Sequence, residues 1–237
     1  MDWSRELAVI TGATSGIGKA LTEGLADRGA AVAICSRNEI QVKKVGTAVR
    51  QAGGTALGMA CDVRDERQVA AFAERVLKEA GTPTILINNA GVGRFAPVAE
   101  MSVATWDEVI EVNLRGMFLV TRAFLPAMLA AGRGAIVNLA SLAGRSGFSQ
   151  GAAYCASKHG VLGFSKSLML EVRQRGLRVI AVCPGSVNTP FFDQETPFNP
   201  NRDKILAPED VAQVVLDALE VPERAMVSEI DIRPSNP

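Results

Sequence analysis

Short apolar segments alternate with longer amphipathic segments along almost the whole of this 237-residue chain. The apolar segments are rich in β-branched residues and have the length of strands, whereas the segments between them repeat with a helical period. Strands that are apolar on both faces and separated by helices are typical of a parallel sheet covered on both sides. The predicted strands are 7–10, 31–36, 55–61, 84–88, 134–141, 177–183 and 227–232, and the predicted helices are 16–28, 39–52, 66–80, 105–131, 152–175 and 208–219.

No linker or change of composition interrupts this alternation. The sequence therefore predicts an α/β fold, with one domain over 1–237 built on a doubly wound, Rossmann-type parallel sheet of about seven strands. The segment 188–210 departs from the pattern, since it is rich in proline, asparagine and phenylalanine. Because ligands of such sheets bind beyond the carboxyl ends of strands, we predict that this segment covers a substrate. A surface loop whose rings merely pack on the domain is the alternative.

Composition narrows the function classes. Twenty-five basic residues balance twenty-five acidic ones, which argues against a nucleic-acid partner, and no run is expected to span a membrane. The four cysteines lie far apart, so we predict that they pack as small hydrophobes rather than form disulfides or a zinc site. The lone His159 builds no metal site. No signal peptide is recognised at the N-terminus, so the expected compartment is the cytoplasm.

The turn TGATSGIG at 11–18 follows the first predicted strand and opens the first predicted helix. Glycines there permit a tight turn and close approach of the backbone to a pyrophosphate, while the helix presents free N–H groups to that anion. A glycine-rich turn without a ligand is the alternative. The residues predicted to hold the anion are Gly12, Thr14, Ser15, Gly16, Ile17 and Gly18.

The end of the second strand distinguishes NADP(H) from NAD(H). An acidic residue there would accept from the ribose hydroxyls, but Ser36 stands in its place and Arg37 follows. A guanidinium suits a phosphate, so we predict that NADP(H) is preferred. A merely solvated Arg37 would not explain the missing acid, although no basic residue precedes Gly16. Further predicted cofactor contacts are Asp62, placed to accept from the adenine amino group, with Val63, Asn89, Ala90 and Gly91.

Tyr154, the only tyrosine of the chain, lies four residues before Lys158 on a predicted helix. The two side chains therefore share one face, and an ammonium group near a phenol lowers the pKa of that phenol toward a catalytically useful range. Ser141, which ends the fifth predicted strand, has a hydroxyl that can bond a carbonyl oxygen. The alternative is a packed tyrosine beside a solvated lysine.

Several motifs occur together in one order: TGATSGIG, NNAG at 88–91, Asn113 in EVNLRG, Ser141 in NLASLAG, YCASK at 154–158 and PGSVNT at 184–189. With this set the chain resembles the short-chain dehydrogenase/reductase family, in its shorter form, over nearly its whole length. The resemblance implies an oxidoreductase that reduces a carbonyl to an alcohol, or the reverse, by hydride transfer.

The resemblance also implies individual roles. Tyr154 would exchange a proton with the substrate oxygen, Lys158 would lower the pKa of Tyr154 and hold the nicotinamide ribose, and Ser141 would position the carbonyl. Asn113 would hold a water that links Lys158 to solvent. The residues expected along the nicotinamide are Pro184, Gly185, Val187 and Thr189. Family members are commonly tetramers, so a tetramer or dimer paired through 105–131 and 152–175 is expected.

The substrate is less constrained by the sequence. The candidate pocket residues, besides Ser141, are Phe95, Leu142, Phe148, Gln150, Phe191 and Phe192, which are mostly apolar and favour an apolar ketone or aldehyde. The stretch GFSKSLMLEV at 163–172 resembles 3-oxoacyl-[acyl-carrier-protein] reductases, and Arg133, Arg173 and Arg175 are candidates for contact with an acidic acyl carrier protein. A nucleotide-sensing binding protein without catalysis is the alternative from another class.

Overall fold

Seven parallel strands form a single sheet in the computed structural model, which describes residues 1–193, 196–222 and 224–235. The strands are β1 (Leu7–Thr11), β2 (Ala31–Ser36), β3 (Ala56–Ala60), β4 (Ile85–Asn88), β5 (Gly134–Leu139), β6 (Leu177–Pro184) and β7 (Glu229–Ile232). Their order across the sheet is β3-β2-β1-β4-β5-β6-β7. The predicted parallel sheet of about seven strands is therefore confirmed.

Within these described ranges, seven α-helices connect the strands. They are α1 (Gly16–Asp27), α2 (Glu39–Gln51), α3 (Glu66–Glu79), α4 (Val103–Ile110), α5 (Met117–Ala131), α6 (Ala152–Val172) and α7 (Pro208–Glu220). Asn38, Asp65 and Ser102 accept hydrogen bonds from backbone N–H groups at the starts of α2, α3 and α4. These short polar side chains satisfy donors that have no partner within a helix, which explains where the three helices begin.

Helices cover both faces of the sheet. Alternate residues of a strand point to opposite faces, so Ala8 and Ile10 of β1 pack with α1, α2 and α7. Leu7 and Val9 of the same strand pack with α3, α5 and α6 on the other face, where Phe124 is fully buried. Burial on both sides explains why the strands read as continuous apolar runs, and it makes the fold doubly wound.

The helix predicted over 105–131 is interrupted. Glu111–Gly116 has π-helical geometry and separates α4 from α5. Asn113 within it is buried, and its side chain accepts from Val92 N at 2.8 Å and donates to Val92 O at 2.9 Å and Ser157 Oγ at 3.0 Å. Short π segments are frequent at functional sites, and this one carries Asn113 toward the residues that follow β4.

The combined helix Val103–Ala131 is long and apolar enough to cross a membrane by length and composition, contrary to the expectation that no run would be. In the fold it lies against the sheet, and Phe124 and Met128 are fully buried there. Phe124 also packs edge-on against Phe72 of α3, with ring centroids 6.0 Å apart. Its apolar composition is therefore accounted for in part by packing within the domain.

The topology fixes where a ligand can bind. The chain builds β2 and β3 on one side of β1 and β4 to β7 on the other, so the strand order reverses between β1 and β4. The loops that follow these strands diverge and leave a crevice at the carboxyl edge of the sheet.

Candidate active site

A cleft of about 890 Å³ lies at this carboxyl edge. Its walls come from the turns after β1, β2, β3, β4, β5 and β6, together with α6 and the segment after β7. Nearly all of the residues predicted for the site line it. The exceptions are Gly18, Asn113 and Gln150, which are not among the lining residues.

The turn after β1 requires its glycines. Gly12 and Gly16 have φ of +64° and +49°, and a Cβ at Gly12 would lie 2.9 Å from Ala90 Cα. A Cβ at Gly16 would lie 2.8 Å from Thr189 Cγ2. Gly18 packs against Gly12 O and the Asn89 amide, and so shapes the turn from behind. Any residue with a side chain would be strained in this conformation or would push the neighbouring loops apart.

The same turn fits an anionic group. Asn89 Nδ2 donates to Thr11 O and Gly12 O, both at 3.0 Å, and thereby holds the turn against β4. Ser15 caps α1 without a side-chain hydrogen bond to the helix, and Gly16 and Ile17 line the cleft beside it. The first N–H groups of α1 are thus left for a ligand, as binding of a pyrophosphate would require.

The turns after β2 and β3 form the far end of the cleft. Ser36 Oγ accepts a hydrogen bond from Thr14 Oγ1 at 3.2 Å, while Arg37 is exposed at the rim. Asp62 lines the cleft, but it is held by Arg64 in a bidentate ion pair whose shortest distance is 2.6 Å. These hydrogen bonds keep the pKa of Asp62 below its ordinary value. An adenine contact by Asp62 would therefore use a carboxylate that already has one partner.

The middle of the cleft brings together the ends of β4 and β6. Gly91 lies close to two predicted functional residues, because a Cβ there would be 3.3 Å from Asn113 Oδ1 and 3.7 Å from Lys158 Nζ. The end of β6 and the turn after it also line the cleft, with Pro184, Gly185, Val187 and Thr189. Asn88 is structural, as its Nδ2 donates to Thr121 Oγ1 and Asn138 Oδ1 at 2.9 and 2.8 Å.

Ser141, Tyr154 and Lys158 converge at the other end of the cleft. Ser141 Oγ accepts from Ala143 N at 3.1 Å, which fixes the hydroxyl at the end of β5, and it also shares a hydrogen bond with Tyr154. Lys158 is buried and donates from Nζ to Leu139 O at 2.7 Å, with Nζ 5.7 Å from the centre of the Tyr154 ring. One hydroxyl, one phenol and one amine therefore face a common space.

The pKa of Tyr154 differs from the sequence-based expectation. Burial raises it to about 12, opposed by the hydrogen bond with Ser141. Burial also lowers the pKa of Lys158 from 10.5 to about 8. In the protein alone the pKa of Tyr154 is thus raised rather than lowered, because burial removes hydration from its charged form, as it does for Lys158.

Ultraviolet titration of the protein without cofactor tests the phenol directly, since Tyr154 is the only tyrosine. We expect Tyr154 to remain mostly protonated at pH 10, because its pKa is raised to about 12. The measurement is the phenolate absorbance followed with pH, with circular dichroism to show that the protein is still folded. Half-ionisation at or below pH 10 in the folded state would contradict this account.

Replacing Lys158 should stabilise the protein without cofactor. Lowering a lysine pKa from 10.5 to about 8 costs roughly 3 kcal/mol of folding free energy at neutral pH. The variant also loses the hydrogen bond from Lys158 Nζ to Leu139 O, which offsets about 1 kcal/mol of this gain in stability. We therefore expect Lys158→Met to raise the free energy of unfolding by about 2 kcal/mol at pH 7, measured by urea denaturation.

The pH dependence gives the sign of this effect. Between pH 8 and 10.5 the unfolded chain binds more protons at Lys158 than the folded one, so the stability of the native protein rises with pH. The gain in the free energy of unfolding from Lys158→Met should therefore be full below pH 8 and should be smaller at pH 10. Lys166→Met on the same helix is the control, since Lys166 is exposed and makes only a surface ion pair with Glu229. A Lys158→Met protein less stable than the wild type at pH 7 would refute the interpretation.

Aromatic side chains fill the space around Tyr154. The predicted substrate contacts Phe95, Phe148, Phe191 and Phe192 line the cleft, together with Leu142. Gln150 is a turn residue with φ of +66°, and its carbonyl oxygen accepts from Ala96 N at 3.1 Å. The residues of the cleft that no sequence pattern singled out include Asn38, Arg94, Arg233 and Pro234.

The segment predicted as a cover runs across this end of the cleft. Val187, directly before the segment, forms a β-bridge with Leu206 inside it, and Pro190–Asp193 forms a short 3₁₀ helix. Phe198 lines the cleft with Phe191 and Phe192. Residues 194–195 of the predicted 188–210 segment lie outside the described part of the chain.

Comparison with known proteins places the chain in a family. Residues 6–199 match the family model described as short chain dehydrogenase. A Streptomyces coelicolor protein named "Putative ketoacyl reductase" is 43% identical over 188 residues, which cover 78% of this chain and 72% of the relative.

Two solved structures share the whole fold. A metagenomic short-chain oxidoreductase in complex with NADP is 39% identical, covers 100% of both chains and has a TM-score of 0.87. A variant of actinorhodin polyketide ketoreductase with NADPH is 34% identical, covers 98% of this chain and 97% of that one, and has a TM-score of 0.89. With the family model spanning most of its length and the cleft carrying the motif residues, this chain belongs to the short-chain dehydrogenase family.

Proposed function

We propose that this protein reduces a carbonyl compound to an alcohol with NADP(H), with Tyr154 as the proton donor. The observation that carries the proposal is that Ser141, Tyr154 and Lys158 meet at one end of a cleft that also contains a glycine turn fitted to a pyrophosphate. A bound nicotinamide would supply the hydride. The protein must then provide a proton, a site for the developing oxyanion and exclusion of water.

The protonation state of Tyr154 suits reduction. With its pKa raised to about 12, the phenol keeps its proton at neutral pH and can give it to the carbonyl oxygen as the C–H bond forms. Ser141 lies within hydrogen-bonding distance of Tyr154, so its hydroxyl can bond the same oxygen. Lys158, one helical turn away, would stabilise the phenolate that proton transfer leaves.

The recovery of the proton involves Asn113 only indirectly. Both N–H groups of its amide are already donated, to Val92 O and Ser157 Oγ. A water held for Lys158, as predicted, would therefore contact an oxygen of Asn113. This role stays a prediction, supported by the position of Gly91 between the Asn113 amide and Lys158 Nζ.

The preference for NADP(H) rests on the end of β2. Ser36 supplies no negative charge there, and Arg37 is exposed at the rim beside Asn38, the N-cap of α2. A 2′-phosphate at this place would meet a guanidinium and the positive end of a helix. An adenosine without that phosphate would gain neither contact.

A 3-oxoacyl thioester on an acyl carrier protein is the second candidate substrate, favoured by the name of the Streptomyces relative. The arginines predicted to meet the carrier do not support it. Arg133 directly precedes β5, and Arg173 and Arg175 precede β6, so all three lie at the amino edge of the sheet, opposite the cleft. Arg133 is also paired with Glu6 at 3.0 Å. A carrier that delivered a substrate would have to dock at the carboxyl edge instead.

A homo-oligomer in the cytoplasm remains our proposal for the assembly and its compartment. Apolar side chains are exposed along the segments expected to pair, 105–131 and 152–175, among them Trp106 of α4 and Leu170 of α6. Exposed apolar surface of this kind is typical of subunit contacts. Sedimentation velocity of the purified chain would measure the state, and a monomer at micromolar concentration would exclude it.

The function is tested by NADPH consumption with a panel of ketones, diketones and 3-oxoacyl thioesters. We expect substrate-dependent oxidation of NADPH with the ketones, and a parallel trace with NADH measures the cofactor preference. A protein that binds NADPH but oxidises it with no member of the panel would favour the nucleotide-sensing alternative.

A further inference from the structure

We propose that the carbonyl compound bound by this protein carries a planar aromatic ring next to its carbonyl group, and that Phe95 confers the preference for that ring. The inference rests on the proposed function, because it names the substrate class of the same cleft. It is argued from the arrangement of rings around Tyr154.

Phe95 is the centre of an aromatic cluster. Its ring centroid lies 5.7 Å from that of Tyr154, 5.9 Å from Phe148, 6.0 Å from Phe191 and 6.3 Å from Phe198. The five residues come from the segments after β4, β5 and β6 and from α6, so the fold assembles the cluster from distant parts of the chain. All five line the cleft.

The ring planes are inclined rather than stacked. Phe95 meets Phe191 and Phe198 at 76° and 81°, and Phe148 meets Phe198 at 62° with centroids 4.7 Å apart. Such an assembly offers both ring faces and ring edges to a ligand. A planar aromatic group among them gains edge-to-face contacts, whereas a saturated ring of the same carbon skeleton gains only the burial of apolar surface.

The charges near the cluster favour a neutral ligand. Arg94, next to Phe95, forms a two-pronged ion pair with Glu108, with both N–O distances at 3.0 Å. Arg233 lines the cleft near Pro234 and lies 3.7 Å from Asp231. Arg94 therefore already has a carboxylate partner, and Arg233 is exposed to solvent, so neither is a buried charge that demands an anionic group on the ligand.

Phe95 also borders a second cavity, next to the cleft. That cavity is lined by Arg94, Phe95, Ala96, Glu100, Met101, Ser102 and Thr105. Phe95 is the one aromatic residue among the described residues that lines both spaces. Shortening its side chain therefore removes an aromatic wall without removing the other rings of the cluster.

The test compares acetophenone with cyclohexyl methyl ketone, which have the same carbon skeleton but differ in ring planarity. Their dissociation constants are measured by calorimetry on the protein loaded with NADP⁺, where no turnover occurs, and kcat/KM is measured with NADPH. We expect the wild type to bind acetophenone about fivefold to tenfold more tightly. In Phe95→Leu this ratio should fall to about twofold or less, because apolar area is kept while the ring is lost.

Phe118→Leu is the matched control, since it removes a ring that is exposed on α5 and packs on Phe164, away from the cleft. The ratio of the two ketone dissociation constants in Phe118→Leu should equal that of the wild type. The change of this ratio from the wild type to Phe95→Leu isolates the ring contact. Intrinsic ketone reactivity enters the ratio equally in both proteins, and a general effect of the substitution on Tyr154 acts equally on both ketones. Equal binding of the two ketones by the wild type, or a ratio unchanged in Phe95→Leu, would overturn the inference even if both are reduced. A ring preference in binding without any NADPH oxidation would support it and refute the proposed function instead.

Discussion

Tyr154→Phe should lower kcat by about a thousandfold and change the dissociation constant of NADPH by less than about threefold. The substitution removes the only proton-donating group of the side chain. It keeps the ring contacts with Phe95 and Phe191, whose centroids lie 5.7 and 5.6 Å away. Turnover with an active ketone measures the first quantity, and titration of NADPH fluorescence measures the second.

Ser146→Ala provides the control for this experiment. It also removes a hydroxyl from the wall of the cleft, but Ser146 stands at an exposed position away from the Ser141–Tyr154 hydrogen bond. We expect its kcat to stay within about twofold of the wild type. A Tyr154→Phe protein with normal turnover would exclude the phenol as proton donor, and one that no longer binds NADPH would make Tyr154 a structural residue.

Periodicity predicted the fold well because both faces of the sheet are covered. The two-sided burial of β1 leaves every one of its residues apolar or buried, and that pattern is visible in the sequence. The predicted bounds of strands and helices differ from the observed ones by only a few residues. The π-helical Glu111–Gly116 could not be predicted, because the contacts of Asn113 with Val92 and Ser157 depend on distant segments.

The site was predictable where backbone geometry demands a residue type. Gly12 and Gly16 have positive φ and close neighbours, so the motif reports a physical requirement. The direction of the Tyr154 pKa was not predictable, since helical spacing gives its distance from Lys158 but not the burial of both groups. Gln150 was predicted to line the cleft and does not, whereas Arg233 was not predicted and does. The fold of their loops decides this, and helical or strand periodicity gives no information about it.

Arg37→Asp should weaken the binding of NADPH about a hundredfold and leave that of NADH within about threefold of the wild type. Arg37 is exposed at the rim where the 2′-phosphate is proposed to lie, and its charge already contributes to lowering the pKa of Asp62. Replacing it removes charge-assisted hydrogen bonds of about 1.5–3 kcal/mol, and the new carboxylate repels the phosphate. In NADH the same carboxylate would face ribose hydroxyls, which can donate to it.

The loss of NADPH affinity in Arg37→Asp should decrease as the salt concentration is raised, because the introduced carboxylate repels the phosphate across a solvent-exposed rim. Arg67→Asp is the control with the same change of charge, since Arg67 is exposed on α3 and does not line the cleft. Its effect on NADPH should stay within about twofold. Equal weakening of NADPH and NADH by Arg37→Asp would place Arg37 on a part common to both cofactors, and the proposed NADP(H) preference would then lose its physical basis.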